Sequence, residues 1–263
     1  MKDIYYSVVS SWRNDHGTPA LIGARFLDTL DQLKPLGPAM NNWVLLDTVN
    51  SAGVPLVAIE DITAFVEHNI DRDESGETYP NSGYFVRAYG GEVTPTRTGK
   101  DIVKVSVDAG SPSSNTLRFE IGNIGDPPDL PAISYPVFRG ALEVLARNWP
   151  CPWAYARAFV IDLPPLVEAT FPLVARERAL PPPFEGAWIA YLSAPLAKGL
   201  RPPADLVRQT TPGGGLILSA ALERLDPDDP DHARRSELLR AILQDRVGGW
   251  PSDPSQPARD GAY

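Results

Sequence analysis

Proline constrains this chain more than any other residue type. It has 28 prolines, about twice the usual share for a globular protein. Most of them stand in short clusters between runs of periodic apolar residues. Because proline fixes φ and lacks a backbone N–H, each cluster interrupts a helix or a strand ladder. The clearest interruption is DPPDLP at residues 126–131, which divides the chain into two halves built from short elements.

Strand and helix patterns alternate in the first half. Thr18 and Pro19 are typical of a helix start, and apolar residues then recur at helical spacing as far as Leu36. A shorter helix is predicted over residues 58–69. The sequence GSPSSN connects the last two strands as a hairpin turn, so this half is expected to end in an antiparallel meander. The predicted strands cover residues 4–12, 43–49, 83–90, 101–109 and 116–122.

The second half shows a similar order of elements, although its residues barely align with those of the first. Predicted helices cover residues 135–149 and 230–247. Predicted strands cover residues 154–163, 187–192, 206–209 and 216–222. The sequence therefore predicts an α+β fold of mostly antiparallel sheets with about three to four packed helices, arranged as two pseudo-repeated halves.

The predicted organisation follows the proline-rich boundary. Residues 1–125 form the N-terminal half, residues 132–250 form the C-terminal half, and residues 251–263 form a flexible tail. We expect the two halves to make one compact unit. The pattern leaves open whether they share one sheet.

Charge and apolar content exclude several classes of protein. The net charge is −9, whereas nucleic-acid binders usually carry a basic face that neutralises phosphates. No run reaches the roughly 18 consecutive apolar residues of a membrane span, and the N-terminus lacks the pattern of a secretory signal. The single cysteine, Cys151, excludes an internal disulfide framework. These features favour a cytoplasmic protein that contacts neither membrane nor nucleic acid directly.

The residues that usually carry catalysis are isolated in this sequence. The three histidines, His16, His68 and His232, have no second histidine at metal-ligand spacing, so each is interpreted as structural or exposed. Cys151 lies between Trp149-Pro150 and Pro152-Trp153, a rigid apolar corner that favours a packed thiol over a nucleophile. We therefore predict no enzyme activity and no catalytic, metal or cofactor site.

Two further segments resemble ligand loops but have simpler interpretations. Three glycines at residues 213–215 lack the lysine and the following helix of a phosphate loop, which favours a hairpin turn. DPDDPD at residues 226–231 lacks the central glycine and distal glutamate of a calcium loop. A helix start accounts for it, with Asp229 as the cap and Pro230 at the first helical position.

The remaining signal is a pair of acidic clusters. Such runs are usually solvated loops, but they can also steer a basic partner to its docking surface. From charge alone, the candidate partner-binding residues are Glu60, Asp61, Glu67, Asp71, Asp73, Glu74 and Glu77 in the first cluster and Asp226, Asp228, Asp229 and Asp231 in the second.

Four stretches together resemble the immunity protein 52 family of bacterial polymorphic toxin systems. They are GARFLDTLDQL at residues 23–33, the unit at residues 135–160 containing ARNW, GAWIAYLSAP at residues 186–195, and GGGLILSAALERLDP at residues 213–227. The resemblance covers roughly residues 4–247 and contains no catalytic signature. It implies a mostly β fold, whereas the residues themselves predict at least three helices.

The resemblance also implies a function. A member of this family binds a cognate toxin, typically one with a restriction-endonuclease-like nuclease domain, and so protects the producing cell. An acidic inhibitor would match the basic surface with which a nuclease holds its substrate. The leading hypothesis is stoichiometric toxin inhibition through an acidic surface. The alternatives are a hydrolase whose carboxylate, Ser or Cys groups meet only in three dimensions, and an adaptor of a toxin secretion system. The mode of inhibition and the oligomeric state stay open.

Overall fold

The computed structural model describes residues 3–13, 17–50, 52–70, 77–78, 83–90, 103–112, 115–122, 132–161 and 184–248. Within these ranges the strands are β1 Asp3–Trp12, β2 Trp43–Asp47, β3 Ala52–Pro55, β4 Tyr84–Gly90, β5 Val103–Ala109, β6 Asn115–Ile121, β7 Trp153–Ile161, β8 Ala187–Leu192, β9 Val207–Thr210 and β10 Leu216–Ser219. The α-helices are α1 Pro19–Leu33, α2 Ile62–His68, α3 Tyr135–Asn148, α4 Ala194–Ala197 and α5 Pro230–Val247. The α+β class is confirmed.

One antiparallel sheet contains all of these strands. Its order is β3-β2-β4-β5-β6-β1-β7-β8-β10-β9. The N-terminal strand β1 lies in the interior, paired with β6 on one side and β7 on the other. Both halves of the sequence therefore share a single sheet and meet between β1 and β7. They contribute unequally, with six described strands from the first half and four from the second.

Helix α3 covers the middle of one sheet face. It packs against β1, β7 and β8, and its buried residue Phe138 lies at the centre of an aromatic cluster. The ring centroid of Phe138 is 6.1 Å from that of Tyr6, 5.7 Å from that of Phe119 and 5.4 Å from that of Trp188. These rings come from β1, β6 and β8, so one helix side chain ties three strands of the shared core together.

A second long helix packs on the sheet in the second half of the chain. Helix α5 packs against β8 and buries Leu239 and Leu243 completely. Before β8 the chain turns at Gly186, where φ is +64° and an added Cβ would lie 1.7 Å from the carbonyl oxygen of Ala158. Only glycine fits this position, beside the bulge that shifts the β7–β8 register.

Most predicted elements are confirmed, with changes at their ends. Thr18 accepts a hydrogen bond from the backbone of Leu21, as expected of a cap, but α1 ends at Leu33 and continues as a 3-10 turn because Pro35 cannot extend it. The helix predicted over residues 58–69 begins only at Ile62. Strand β3 and helix α4 were absent from the sequence prediction. The predicted tail at residues 251–263 lies outside the described residues.

Candidate functional site

The segment from β3 to α2 forms an exposed corner at one end of the sheet. Strand β3 pairs only with β2 among the described strands, and a 3-10 turn at Leu56–Ala58 follows it. Asp61 then caps α2, because its Oδ1 accepts hydrogen bonds from the backbone N–H groups of Thr63 at 2.8 Å and Ala64 at 3.2 Å. We call residues 52–67 the acidic corner. Its charged members, Glu60, Asp61 and Glu67, are all exposed.

A buried asparagine holds the acidic corner against the sheet. Asn69 is 1% exposed, and its Oδ1 accepts hydrogen bonds from the backbone N–H and the hydroxyl of Thr48, at 2.7 and 2.6 Å. Its Nδ2 donates to the carbonyl of Phe65 at 2.8 Å, and its own carbonyl accepts from the backbone of Phe85 at 3.3 Å. One residue thus joins the end of α2 to the β2–β3 turn and to β4, which fixes the corner.

The β2–β3 turn is held by Asp47. This carboxylate accepts hydrogen bonds from the backbone N–H groups of Val49 and Asn50, each at 3.0 Å, and from the side-chain amide of Asn50 at 2.8 Å. The hydrogen bonds from Asn50 lower the pKa of Asp47 below its ordinary value. His68 Nε2 lies 3.3 Å from Asp47 Oδ1, so this histidine has the structural role expected of it.

Charge and shape distinguish the acidic corner from the rest of the surface. No lysine or arginine occurs between Lys34 and Arg72, and the five acids in that interval are Asp47, Glu60, Asp61, Glu67 and Asp71. In the same region Val57 is 98% exposed and Val49 is 56% exposed, among the largest exposures of apolar side chains in the described residues. An exposed apolar side chain with carboxylates around it has the composition of an interface centre with a polar rim.

The first acidic cluster of the sequence maps partly onto this corner. Glu60, Asp61 and Glu67 belong to it, and Glu77 is exposed in the short described segment at residues 77–78. Asp71, Asp73 and Glu74 lie outside the described residues. The sequence prediction omitted Val57, because it treated Ala58 as the first residue of a helix. An aperiodic apolar run after Pro55, followed at once by two acids, is the signal that would have indicated it.

The second acidic cluster lies elsewhere and has a local structural role. Asp229 caps α5 by accepting from the backbone N–H groups of Asp231 at 2.8 Å and His232 at 3.1 Å, and these bonds lower the pKa of Asp229. Asp226 accepts from the backbone of Asp228 at 3.0 Å. Helix α5 packs against β8, six strands from β2, which is roughly 30 Å at the usual strand spacing. The structure therefore does not bring the two clusters together.

His232 completes this helix start. It is 8% exposed, and its Nδ1 accepts a hydrogen bond from the backbone N–H of Asp226 at 3.1 Å. Nε2 therefore carries the proton and donates to Glu223 Oε1 at 2.8 Å, which lowers the pKa of Glu223. The helix-start interpretation of this segment is confirmed, and both nitrogens of the histidine ring make hydrogen bonds within this structure.

The cysteine and the possible metal ligands can be placed in the described part of the chain. Cys151 is buried, as the packed-thiol interpretation expects, and no group of three His, Cys, Asp or Glu residues within the described ranges is arranged to hold a metal ion. His16 lies outside them. A cavity of about 240 Å³ between α3 and β9 contains two arginines and no carboxylate.

The comparisons with known proteins show a similar fold but no family. No family model matches the chain, and no curated protein matches it, so membership of the immunity protein 52 family is not supported. Among solved structures the chain is similar to the Pseudomonas aeruginosa T6SS protein PA0821, with a TM-score of 0.53 and 13% identity. The similarity covers 92% of this chain and 76% of that chain. At such low identity it shows a shared fold alone.

The described helices differ from membrane-spanning helices. None of them combines the length and the apolar content needed to cross a bilayer.

Proposed function

We propose that this chain is an immunity-type protein of a bacterial toxin system, which binds a basic toxin stoichiometrically through the acidic corner and holds it inactive. The proposal includes a cytoplasmic location and no catalytic activity of its own. The observation that carries it is the exposure of Val57, 98%, three residues before Glu60 and Asp61 in a stretch of sequence, residues 35–71, that contains no lysine or arginine.

The charge of this corner is suited to a partner with the opposite charge. Within the described structure, neither Glu60 nor Glu67 makes a hydrogen bond or an ion pair, so their charges are available to another molecule. Unpaired carboxylates on one surface accelerate the approach of a basic protein. Burial of Val57 in the interface would then stabilise the complex. Residues at the centre of an interface, enclosed by a polar rim, contribute most of the binding energy.

A nuclease toxin is the partner class that fits best. A nuclease domain needs a positively charged surface for its nucleic-acid substrate, and an acidic inhibitor can compete for that surface. The structural neighbour supports the context, because its name places it in a type VI secretion system. The same name is also compatible with an adaptor of secretion, and the two roles differ in whether the chain protects a cell from toxin.

The proposal is tested first with the toxin encoded by the adjacent gene. Cells that express this toxin should survive when the chain is co-expressed, and the two proteins should elute as one complex on gel filtration. Continued killing without a complex would contradict the proposal. A complex with secretion components and no protection would favour the adaptor.

The role of the acidic corner is tested by charge reversal. Glu60→Lys combined with Glu67→Lys should slow association with the toxin by about 10-fold or more at low salt, and by less as salt screens the charges. Asp61 is left unchanged because it caps α2. The matched control is Glu185→Lys combined with Asp228→Lys, two exposed acids of the second half with the same change in net charge. Equal slowing by both pairs would point to net charge and not to this corner.

A further inference from the structure

Strands β4, β5 and β6 carry two arginines on the face of the sheet that points away from the core. The inward residues of β5 are all buried and its outward residues are half-buried, and Arg118 on β6 is fully exposed. The pairing register places Arg87 opposite Ser106, and Ser106 opposite Arg118. Directly opposed residues of an antiparallel sheet lie on the same face. We call these three residues, with Phe85 and Tyr89 beside Arg87, the arginine face.

Two aromatic side chains hold the guanidinium of Arg87 above its own strand. Its Cζ lies 4.7 Å from the ring centroid of Phe85, and its Nη1 donates to the hydroxyl oxygen of Tyr89 at 3.4 Å. These rings come from the positions two residues before and two residues after Arg87, which share its face of the strand. No described carboxylate forms an ion pair with Arg87. Its positive charge is therefore held in place without being neutralised.

The acids of the same face are directed to other groups. Glu120 Oε2 lies 3.3 Å from Lys104 Nζ, so these two charges compensate each other. Asp108 Oδ1 lies only 2.7 Å from the position that a Cβ on Gly83 would take, so this carboxylate points along the sheet and away from the two arginines. Arg118 makes no hydrogen bond or ion pair with a described residue. The arginine face therefore has two guanidinium charges without a described counter-ion.

The electrostatics of Tyr155 agree with the register. Burial raises the pKa of Tyr155, and the positive charges of Arg157 and Arg118 oppose that rise. Tyr155 pairs with Val9, which pairs with Arg118, so the three lie in one row across the sheet. Arg157 lies on the same face, where its Nε donates to the hydroxyl of Ser7 at 3.1 Å. A chain with a net charge of −9 thus collects arginines on this part of its sheet.

The arrangement of the two arginines is suited to a pair of carboxylates. A guanidinium binds a carboxylate through two parallel hydrogen bonds. The Cα atoms of Arg87 and Arg118 are about 10 Å apart, because one strand lies between theirs. In a polyproline II segment, residues three apart lie on the same side and about 9 Å from each other. A nucleic acid fits less well, since it needs a longer row of cations and is repelled by the net negative charge.

We propose that the arginine face binds an extended acidic segment of a partner protein, in which two carboxylates stand three residues apart. One carboxylate pairs with Arg87 and the other with Arg118, and the residues between them cross Ser106, whose small side chain leaves room for a backbone. The rings of Phe85 and Tyr89 give apolar contact beside the first carboxylate. The site is distinct from the acidic corner and does not depend on the proposed toxin.

The probe is a synthetic peptide with a fixed spacing of its charges. The capped, fluorescently labelled sequence Gly-Glu-Pro-Pro-Glu-Gly favours the polyproline II conformation. Its binding to the full chain is followed at low salt by fluorescence anisotropy and by amide chemical shifts. Gly-Gln-Pro-Pro-Gln-Gly removes the charges, and Gly-Pro-Glu-Glu-Pro-Gly keeps the composition and charge but makes the glutamates adjacent. Each control peptide should bind about 5-fold more weakly or worse, as expected for the loss of exposed ion pairs.

Protein variants locate the site. Arg118→Gln and Arg87→Gln should each weaken binding of the first peptide about 5-fold. Arg208→Gln is the matched control, because Arg208 is also exposed on a strand but lies at the far edge of the same sheet. It should change binding less than about 2-fold. Arg118 is exposed and makes no described contact that its loss would break, so its variant keeps the test valid even if loss of Arg87 impairs folding.

Several outcomes would overturn the proposal. They are no binding of the first peptide up to its solubility limit, equal binding of the peptide with adjacent glutamates, and chemical-shift changes confined to strands other than β4, β5 and β6. Tighter binding of a short oligothymidylate than of the peptide would assign the face to nucleic acid instead. Glu60→Lys with Glu67→Lys should leave peptide binding unchanged, so this proposal and toxin protection by the acidic corner can fail separately.

Discussion

The two edge strands of the sheet have the same length but opposite surroundings. Strand β3 ends in Pro55, which interrupts further pairing, and continues into carboxylates around the protruding Val57. Strand β9 has no proline, and arginines accompany its exposed apolar residues. An open strand edge invites pairing with another chain unless its sequence prevents it. Within the described residues, proline therefore interrupts the edge at β3, whereas the edge at β9 has no such interruption.

The largest expected effect is a loss of stability at both ends of the sheet, caused by one substitution in the shared core. Phe138→Ala removes the ring that contacts Tyr6, Phe119 and Trp188, at the seam between the halves. The free energy of unfolding should fall by about 3–5 kcal/mol. Urea unfolding measures this loss, and fluorescence and circular dichroism should follow a single transition. Two separate transitions would show that the ends do not depend on one core, and the comparison would then concern two independent units.

A smaller effect should be confined to the β3 end. Asn69→Ala leaves the backbone N–H and the hydroxyl of Thr48 without their buried acceptor, which should cost about 1–3 kcal/mol. Toxin binding through the proposed acidic corner should weaken, while the amide chemical shifts of β8 and β10 stay unchanged under native conditions. Asn41→Ala, at an exposed asparagine outside the corner, is the control for the unfolding measurement. Chemical-shift changes that extend to β8 and β10 would mean that Asn69 does not act on the corner alone.

Acid should act on the β3 end through Asp47. Its pKa is lowered in the folded chain, mainly by hydrogen bonds from Asn50, so the ionised form favours folding. This contribution is complete above the ordinary carboxyl pKa of about 4 and is lost as the pH falls through the lower folded value. Asp47→Asn should therefore reduce the loss of stability between pH 6 and pH 3, as measured by thermal unfolding.

The start of α5 provides the comparison for this pH effect. Glu223 has a lowered pKa because of His232, and its side chain is 64% exposed, against 14% for Asp47. Solvent screens an exposed carboxylate more strongly. Glu223→Gln should therefore change the acid dependence in the same direction but by less. A larger change from Glu223→Gln would show that the β3 end is not the more acid-sensitive one.

The smallest effects are expected at two of the exposed valines, Val57 and Val207, one near each edge strand. Val57→Ser should change the free energy of unfolding by less than about 0.5 kcal/mol, because the 98% exposed side chain buries almost nothing. Val207→Ser should reduce the free energy of unfolding by more, because that side chain is only 44% exposed and lines the cavity between α3 and β9. Chemical denaturation distinguishes these values. A marked loss from Val57→Ser would assign this residue to the fold and remove the main support for its role in binding.

The elements that could be predicted are those whose signals are local. Helices α3 and α5 follow from apolar spacing and from caps, and Asp229 caps α5 as its sequence context indicates. The acids at residues 226–231 have the structural role that the helix-start interpretation gave them. Strand β3 could not be predicted, because Ala-Gly-Val-Pro has neither length nor alternation. Only its pairing with β2 makes it a strand.

The sequence by itself determined the α+β class, most of the helices and strands, and the acidic stretch from residue 35 to residue 71, since periodicity, caps and composition act over a few neighbouring residues. The tertiary structure decided that both halves share one sheet with β1 inside it, and that the acidic corner and the second acidic cluster lie apart. These relations depend on strand pairing between residues far apart in sequence, as between Tyr6 and Ala158, and such pairings are selected by the packing of the whole core.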